Sequence, residues 1–128
     1  LERGARMRTQ QVDVWLDAGT AEALLETNRY LLQNGRDNSV EAMKRPNTVI
    51  IPPVFIHPTA VVETSILGPN VSLGACCRVQ QSIIRESILE DEAEVTGIIL
   101  ENSLVGRSAH LMRRAGVVNA GDNTEVTL

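Results

Sequence analysis

The chain has 128 residues, enough for one modest domain or for one domain and part of a second. Its 12 basic and 16 acidic residues leave a net charge of −4 without a basic stripe, so nucleic acid and anionic membrane surfaces are poor partners. No apolar run could span a bilayer, no signal peptide is recognisable, and the only two cysteines are adjacent, which favours a reduced, cytoplasmic setting.

The first element in chain order is a strand followed by a helix. Residues 7–16 alternate apolar and polar side chains as a strand does, and residues 17–19 read as a turn. Thr20 is the expected N-cap of a helix over 21–33, which Asn34–Gly35 ends. The apolar face of this helix consists of Ala21, Leu24, Leu25, Leu31 and Leu32. Such a unit cannot bury that face alone, so residues 1–34 are expected to be the end of a larger domain, with the chain the C-terminal part of a longer protein.

A polar interval follows at residues 35–48, and it is expected to be a linker. Pro46, Pro52 and Pro53 mark its end and the entry to the next segment. We therefore place a second domain at residues 49–128, with residues 113–128 as its closing cap.

Aliphatic residues recur through this second domain at intervals of five or six. This spacing matches neither the 3.6-residue period of a helix nor the two-residue period of a strand. It indicates hexapeptide repeats, in which three short strands form one triangular coil of a β-helix. The repeated aliphatics, expected to point into the prism, are Ile56, Val62, Leu67, Leu73, Val79, Ile84, Leu89, Val95, Leu100, Val105 and Leu111.

Two positions before most of these aliphatics lies a smaller residue that fits beside a tight corner, Ile98 being the exception. Eleven repeats give between three and four coils. The predicted fold is mainly β: a left-handed parallel β-helix over residues 49–112, preceded by a strand–turn–helix segment.

Two motifs in this order resemble the long form of the sugar-1-phosphate nucleotidyltransferases, in particular the glucose-1-phosphate thymidylyltransferase-like members. The first runs from Trp15, Asp17, Gly19 and Thr20 to Glu26, Asn28 and Arg29, and resembles the last strand–turn–helix of their catalytic domain. The stretch from Pro52 to Val79 is similar to the β-helix that follows it. The resemblance covers the C-terminal third or so of such an enzyme, without its nucleotide-binding domain.

The resemblance implies a reaction and a site. A sugar 1-phosphate attacks the α-phosphorus of a nucleoside triphosphate and releases pyrophosphate, with Mg²⁺ as the cofactor. By this resemblance Asp17 is a catalytic, metal-binding carboxylate and Trp15 borders the sugar-binding pocket. The chain alone is expected to be inactive.

Other functions remain open from the sequence. Many left-handed β-helix proteins are acyltransferases with a histidine as general base, which draws attention to His57 and His110. A non-catalytic oligomerisation module is the third possibility. Outward isoleucines at 66, 83, 88 and 99 predict self-association, as a homotrimer or otherwise a dimer.

Overall fold

The computed structural model describes residues 18–113 and 122–123. Within these residues lie helix α1 (Ala18–Leu31), a π-helical turn (Leu32–Arg36), helix α2 (Ser39–Ala42) and twelve strands. The strands are β1 (Thr48–Ile50), β2 (Val54–Ile56), β3 (Val61–Glu63), β4 (Ser65–Leu67), β5 (Val71–Leu73), β6 (Arg78–Gln80), β7 (Ile83–Arg85), β8 (Ile88–Leu89), β9 (Glu94–Thr96), β10 (Ile99–Glu101), β11 (Leu104–Val105) and β12 (His110–Met112).

The strands form three parallel sheets around one prism, and each coil contributes one strand to each sheet. Face A is the sheet β1-β4-β7-β10, face B is β2-β5-β8-β11, and face C is β3-β6-β9-β12. Coil 1 is therefore β1–β3, coil 2 is β4–β6, coil 3 is β7–β9 and coil 4 is β10–β12. This solenoid of about four turns agrees with the predicted left-handed β-helix.

The repeated aliphatics form the core, as predicted. Strand pairing stacks each of them on the residue three repeats away, so Ile56 lies on Leu73 and Leu73 lies on Leu89. Most are buried, while Leu100 and Leu111 pack partly buried against the same core. Burying one such side chain contributes roughly 1.5–3 kcal/mol, so the inward columns dominate the stability of the solenoid. Ile50 begins face A above Leu67, which extends the pattern one repeat before the predicted start.

The five-residue corners of the prism depend on serine. The inward small residue is Ser65, Ser82, Ser87 or Ser103 wherever the interval to the preceding aliphatic is five, except at Ile98. Each hydroxyl donates to the carbonyl two residues earlier, as Ser82 does to Gln80 at 2.8 Å. Three of them also accept the N–H of the equivalent residue one coil on, as Ser82 Oγ does from Ile98 at 3.2 Å. The hydroxyl thus satisfies two backbone groups that the corner removes from the sheet.

Six-residue corners between faces B and C need no hydroxyl. There the N–H of the small residue closes a turn onto the carbonyl three residues earlier, as Ala93 does onto Glu90 at 3.2 Å. Alanine or cysteine occupies this position in every coil: Ala60, Cys77, Ala93 and Ala109. The length of the interval therefore determines which small residue suits each corner.

The helix differs from its prediction at its first turn. It begins at Ala18, three residues before the predicted start, so Thr20 lies within the helix and is not its N-cap. The predicted C-terminal signal is confirmed, because Gly35 has a φ of +95° in the left-handed region that glycine adopts most readily. Of the predicted apolar face, Leu25 and Leu32 are buried, whereas Leu24 and Leu31 each keep 41% of their surface exposed.

The interval 35–48, expected as a linker, contains α2 and contacts the open edge of coil 1. The Asn38 side chain donates to the Ile56 carbonyl at 2.7 Å and accepts the Ile56 N–H at 2.9 Å. Ser39 Oγ accepts the Val54 N–H at 2.9 Å. These groups pair the edge of β2, which would otherwise be free to pair with another strand. Ser39 Oγ also lies 2.6 Å from the Asp37 carboxylate, and its hydrogen bond lowers the pKa of Asp37.

Candidate functional site: the junction of helix and solenoid

The two predicted active-site residues, Trp15 and Asp17, lie outside the described residues, as do the predicted strand 7–16 and nearly all of the closing cap. Asp17 directly precedes α1 in the sequence. Among residues 18–113 and 122–123 no group of three or more His, Cys, Asp or Glu side chains is placed to hold a metal ion. The roles of Trp15 and Asp17 therefore stay predictions from the motif.

Most other residues of the motif lie at a polar junction where α1 meets face B of the solenoid. Arg29 Nε and Nη2 both lie 2.8 Å from Glu86 Oε1. The second oxygen of Glu86 accepts a hydrogen bond from the Asn70 side-chain amide at 2.7 Å. Glu86 is thus held by one donor residue on each oxygen, Arg29 from the helix and Asn70 from the preceding coil.

Asn28 adds a second pair of contacts beside the first. Its amide nitrogen donates to the Asn70 carbonyl at 3.2 Å, and its amide oxygen accepts from Ser72 Oγ at 2.5 Å. Gln33, in the π-helical turn, donates to the Asn70 side-chain oxygen at 3.4 Å. The junction (Asn28, Arg29, Gln33, Asn70, Ser72 and Glu86) therefore joins three positions near the end of the helical segment to coils 2 and 3.

The solenoid side of this junction is rigid because its residues lie at stacked corners. Asn70 and Glu86 have φ values of +62° and +49°, and their N–H groups donate to the carbonyls of Pro53 and Pro69 one coil earlier. Asn70 is only 6% exposed. The Arg29–Glu86 pair itself is partly exposed and contributes on the order of 1 kcal/mol, but the linked network fixes the angle of the helix more firmly than one pair would.

Neither histidine has the geometry of a general base. His57 Nδ1 accepts the Thr59 N–H at 3.1 Å and lies 2.9 Å from Thr59 Oγ1, which accepts in turn from the Cys76 N–H. His110 is exposed and lies 3.8 Å from Glu94. Between Thr48 and Met112 the coils repeat every 16 or 17 residues, with no inserted loop that could enclose an acyl donor. This part of the chain gives no support to the acyltransferase alternative.

The cysteines take the places that the repeat register predicts. Cys76 is exposed at a corner and Cys77 points into the prism, and both are free thiols. Burial raises the pKa of the Cys77 thiol, so it stays protonated at neutral pH and is a poor nucleophile.

The sequence interpretation did not single out Asn70, Ser72 or Glu86. A signal was available, because strand pairing at offsets of 17 and 16 residues brings the corners at 70 and 86 into one column. Two polar corner residues in a column beside an otherwise apolar face indicate a docking position. Ile88, expected in an exposed stripe with the other isoleucines, instead lies on face B, the face that α1 covers, and is half-buried.

Known proteins resemble this chain along its length. A glucose-1-phosphate thymidylyltransferase of Streptomyces antibioticus is 26% identical over 151 aligned positions, which cover all of this chain and 42% of the relative. A probable mannose-1-phosphate guanyltransferase of Schizosaccharomyces pombe is 32% identical over 98 residues, 74% of this chain and 24% of the relative. No protein-family model matches the chain.

The chain resembles the C-terminal portion of sugar-1-phosphate nucleotidyltransferases. The predicted resemblance is therefore confirmed. A glucose-1-phosphate thymidylyltransferase of Streptomyces griseus agrees, at 28% identity over 83% of this chain. The chain spans less than half the length of each of these nucleotidyltransferases. No described helix has both the length and the apolar character needed to cross a membrane.

Proposed function

We propose that this chain is the C-terminal region of an enzyme that joins a sugar 1-phosphate to a nucleoside triphosphate and releases pyrophosphate. The similarity to nucleotidyltransferases over the whole chain, helix and solenoid in the same order, carries this proposal. The relatives named above differ in both sugar and base, so the proposal extends to the class of substrate. Both cysteines are free, which suits a cytoplasmic enzyme.

Asp17 is the proposed catalytic carboxylate, and Trp15 is proposed to border the sugar pocket. In such enzymes Mg²⁺ neutralises charge on the transferring phosphoryl group and is held by one or two carboxylates together with the substrate phosphates. The described residues form no metal site of their own. The motif alone therefore supports Asp17, which would supply one oxygen ligand and need further carboxylates from the rest of the enzyme.

The test is the Asp17→Asn variant of the longer enzyme, with pyrophosphate release as the measurement. Asparagine keeps the shape of the side chain and removes its charge, so turnover is expected to fall by orders of magnitude while folding is unchanged. Glu22→Gln is the matched control, because Glu22 is an exposed acid on the same helix. Normal turnover by Asp17→Asn would remove Asp17 from the site. The 128-residue chain alone is expected to release no pyrophosphate.

The solenoid is proposed to serve assembly or regulation, with face A as the contact between subunits. Three of the predicted isoleucines form one outward column there with Val49: Val49, Ile66, Ile83 and Ile99 are stacked by the strand register. Val49 and Ile99 are 56% and 62% exposed. Face B is occupied by α1, and the equivalent outward column of face C carries Arg78, Glu94 and His110 after Val61.

A homotrimer is the proposed assembly, with a dimer as the alternative, because closed symmetry around face A would cover the apolar column. Light scattering is expected to give a mass of about three 14.0 kDa chains. Ile99→Lys is expected to dissociate the assembly, whereas Met112→Lys, an equally exposed apolar residue on face C, is the control. A wild-type mass near one chain would refute self-association, and a doubled mass would favour the dimer.

A further inference from the structure

We infer that Glu86, a residue of the solenoid, is a positioning residue for nucleotidyl transfer, acting through Arg29 and helix α1. The inference rests on the proposed function and extends it, because it assigns the solenoid a part in the chemical step in addition to assembly. The observation behind it is that one continuous helix leads from the residue after Asp17 to the junction.

Helix α1 is a rigid connection between the two places. Ala18 and Asn28 are separated by ten residues of unbroken helix, about 15 Å at the usual rise per residue. A small rotation of the helix at Asn28 and Arg29 therefore moves its first turn by a comparable amount. Because Asp17 is covalently joined to that turn, holding one end of the helix limits where the Asp17 backbone can lie.

Glu86 is the residue of the solenoid on which this hold depends. Both of its neighbours, Arg29 and Asn70, approach as donors, so the site needs an acceptor on each carboxylate oxygen. Glutamine has the same shape but offers one oxygen and one donor group. In Glu86→Gln, either Arg29 or the Asn70 amide would face another donor, and the helix would lose part of its anchorage without any change of volume.

The first experiment measures kcat/KM of the longer enzyme by pyrophosphate release. Glu86→Gln is expected to lower it about 10- to 100-fold, the order of loss that misplacement of a catalytic group by about 1 Å causes. Glu101→Gln is the matched control, since Glu101 forms an equivalent ion pair with Arg85 at 2.9 Å on face A, away from α1. A wild-type rate for Glu86→Gln would overturn the inference.

A double-mutant cycle separates positioning from general damage. If Glu86 acts through Asp17, Glu86→Gln is expected to have little further effect on the residual activity of Asp17→Asn. The same fold loss in both backgrounds would show that Glu86 acts independently of Asp17, and the inference would be wrong. If Asp17→Asn alone retains full turnover, the proposed function of Asp17 fails instead, so the two failures are distinguishable.

A second measurement tests the anchorage in the 128-residue chain itself. Glu86→Gln is expected to speed amide hydrogen exchange in the last two turns of α1, whereas Glu101→Gln leaves it unchanged. Unaltered exchange of these amides in Glu86→Gln would show that the junction does not hold the helix, which would also overturn the inference.

Discussion

The serine corners predict that a single buried hydroxyl has a measurable share in the stability of the solenoid. In Ser82→Ala the Gln80 carbonyl loses its donor and the Ile98 N–H loses its acceptor. Ser82 is 2% exposed, so water replaces neither partner easily. Alanine itself fits an inward corner position, because Ala93 occupies the equivalent place on face C at 0% exposure. The change is therefore one of hydrogen bonding and not of packing.

The expected cost is about 2 kcal/mol, within the range for leaving a buried polar group unpaired. For a chain of this length that corresponds to a fall in melting temperature of about 8 °C. Thermal unfolding followed by circular dichroism measures it, with denaturant titration as a second route to the free energy. Because each coil contacts only its neighbours, the transition is also expected to broaden if coil 3 separates from coil 4 first.

Ser103→Ala is the internal control. In the described part of the chain the Ser103 hydroxyl donates to the Glu101 carbonyl and accepts no N–H, and the residue is only half-buried. Its removal is expected to cost less than about 1 kcal/mol. Equal melting temperatures for Ser82→Ala and Ser103→Ala would refute the argument that the hydroxyl is needed because it bridges two coils.

Two further predictions concern the core. Leu89→Asp puts an unpaired charge at a position 1% exposed in a dry prism and is expected to unfold the solenoid; a soluble variant that melts like wild type would contradict the assigned register. Cys76 is expected to react with a thiol reagent at once and Cys77 only after unfolding, and immediate labelling of both would contradict the burial of Cys77. Because the pKa of Cys77 is raised in the folded state, its contribution to stability is full below the ordinary thiol pKa and declines above it; denaturant titrations across that range should show the decline in wild type and not in Cys77→Ala.

The solenoid was predictable because its rules are local. Three repeats on from Ile56 is Leu73 and three repeats on from Val79 is Ile84's neighbouring face at Leu89's coil, so spacing alone carries the coil length and hence the stacking of inward residues. The observed pairings follow that count, including the change from 17 to 16 residues per coil. Ile98, the exception among the small residues, follows Gly97, which occupies the left-handed corner at that position.

The junction was not predictable in the same way. Arg29 and Glu86 are 57 residues apart, and each alone looks like an ordinary solvated charge. Their pairing depends on which face the helix covers, and the repeat pattern does not contain that information. The same reason explains Ile88, whose outward direction was right but whose face was not, and Asn38, whose side chain pairs with β2 instead of lying in a linker.

The position of the junction along the solenoid leaves the far end free to vary. The hydrogen bonds that the structure describes between the helical segment and the solenoid all end on coils 1 to 3. Insertion or loss of a whole coil beyond β9, by duplication or deletion of a 16-residue stretch of gene, would leave those bonds in place. Relatives could therefore differ in solenoid length, and so in the extent of face A, without disturbing the helix that the first coils hold.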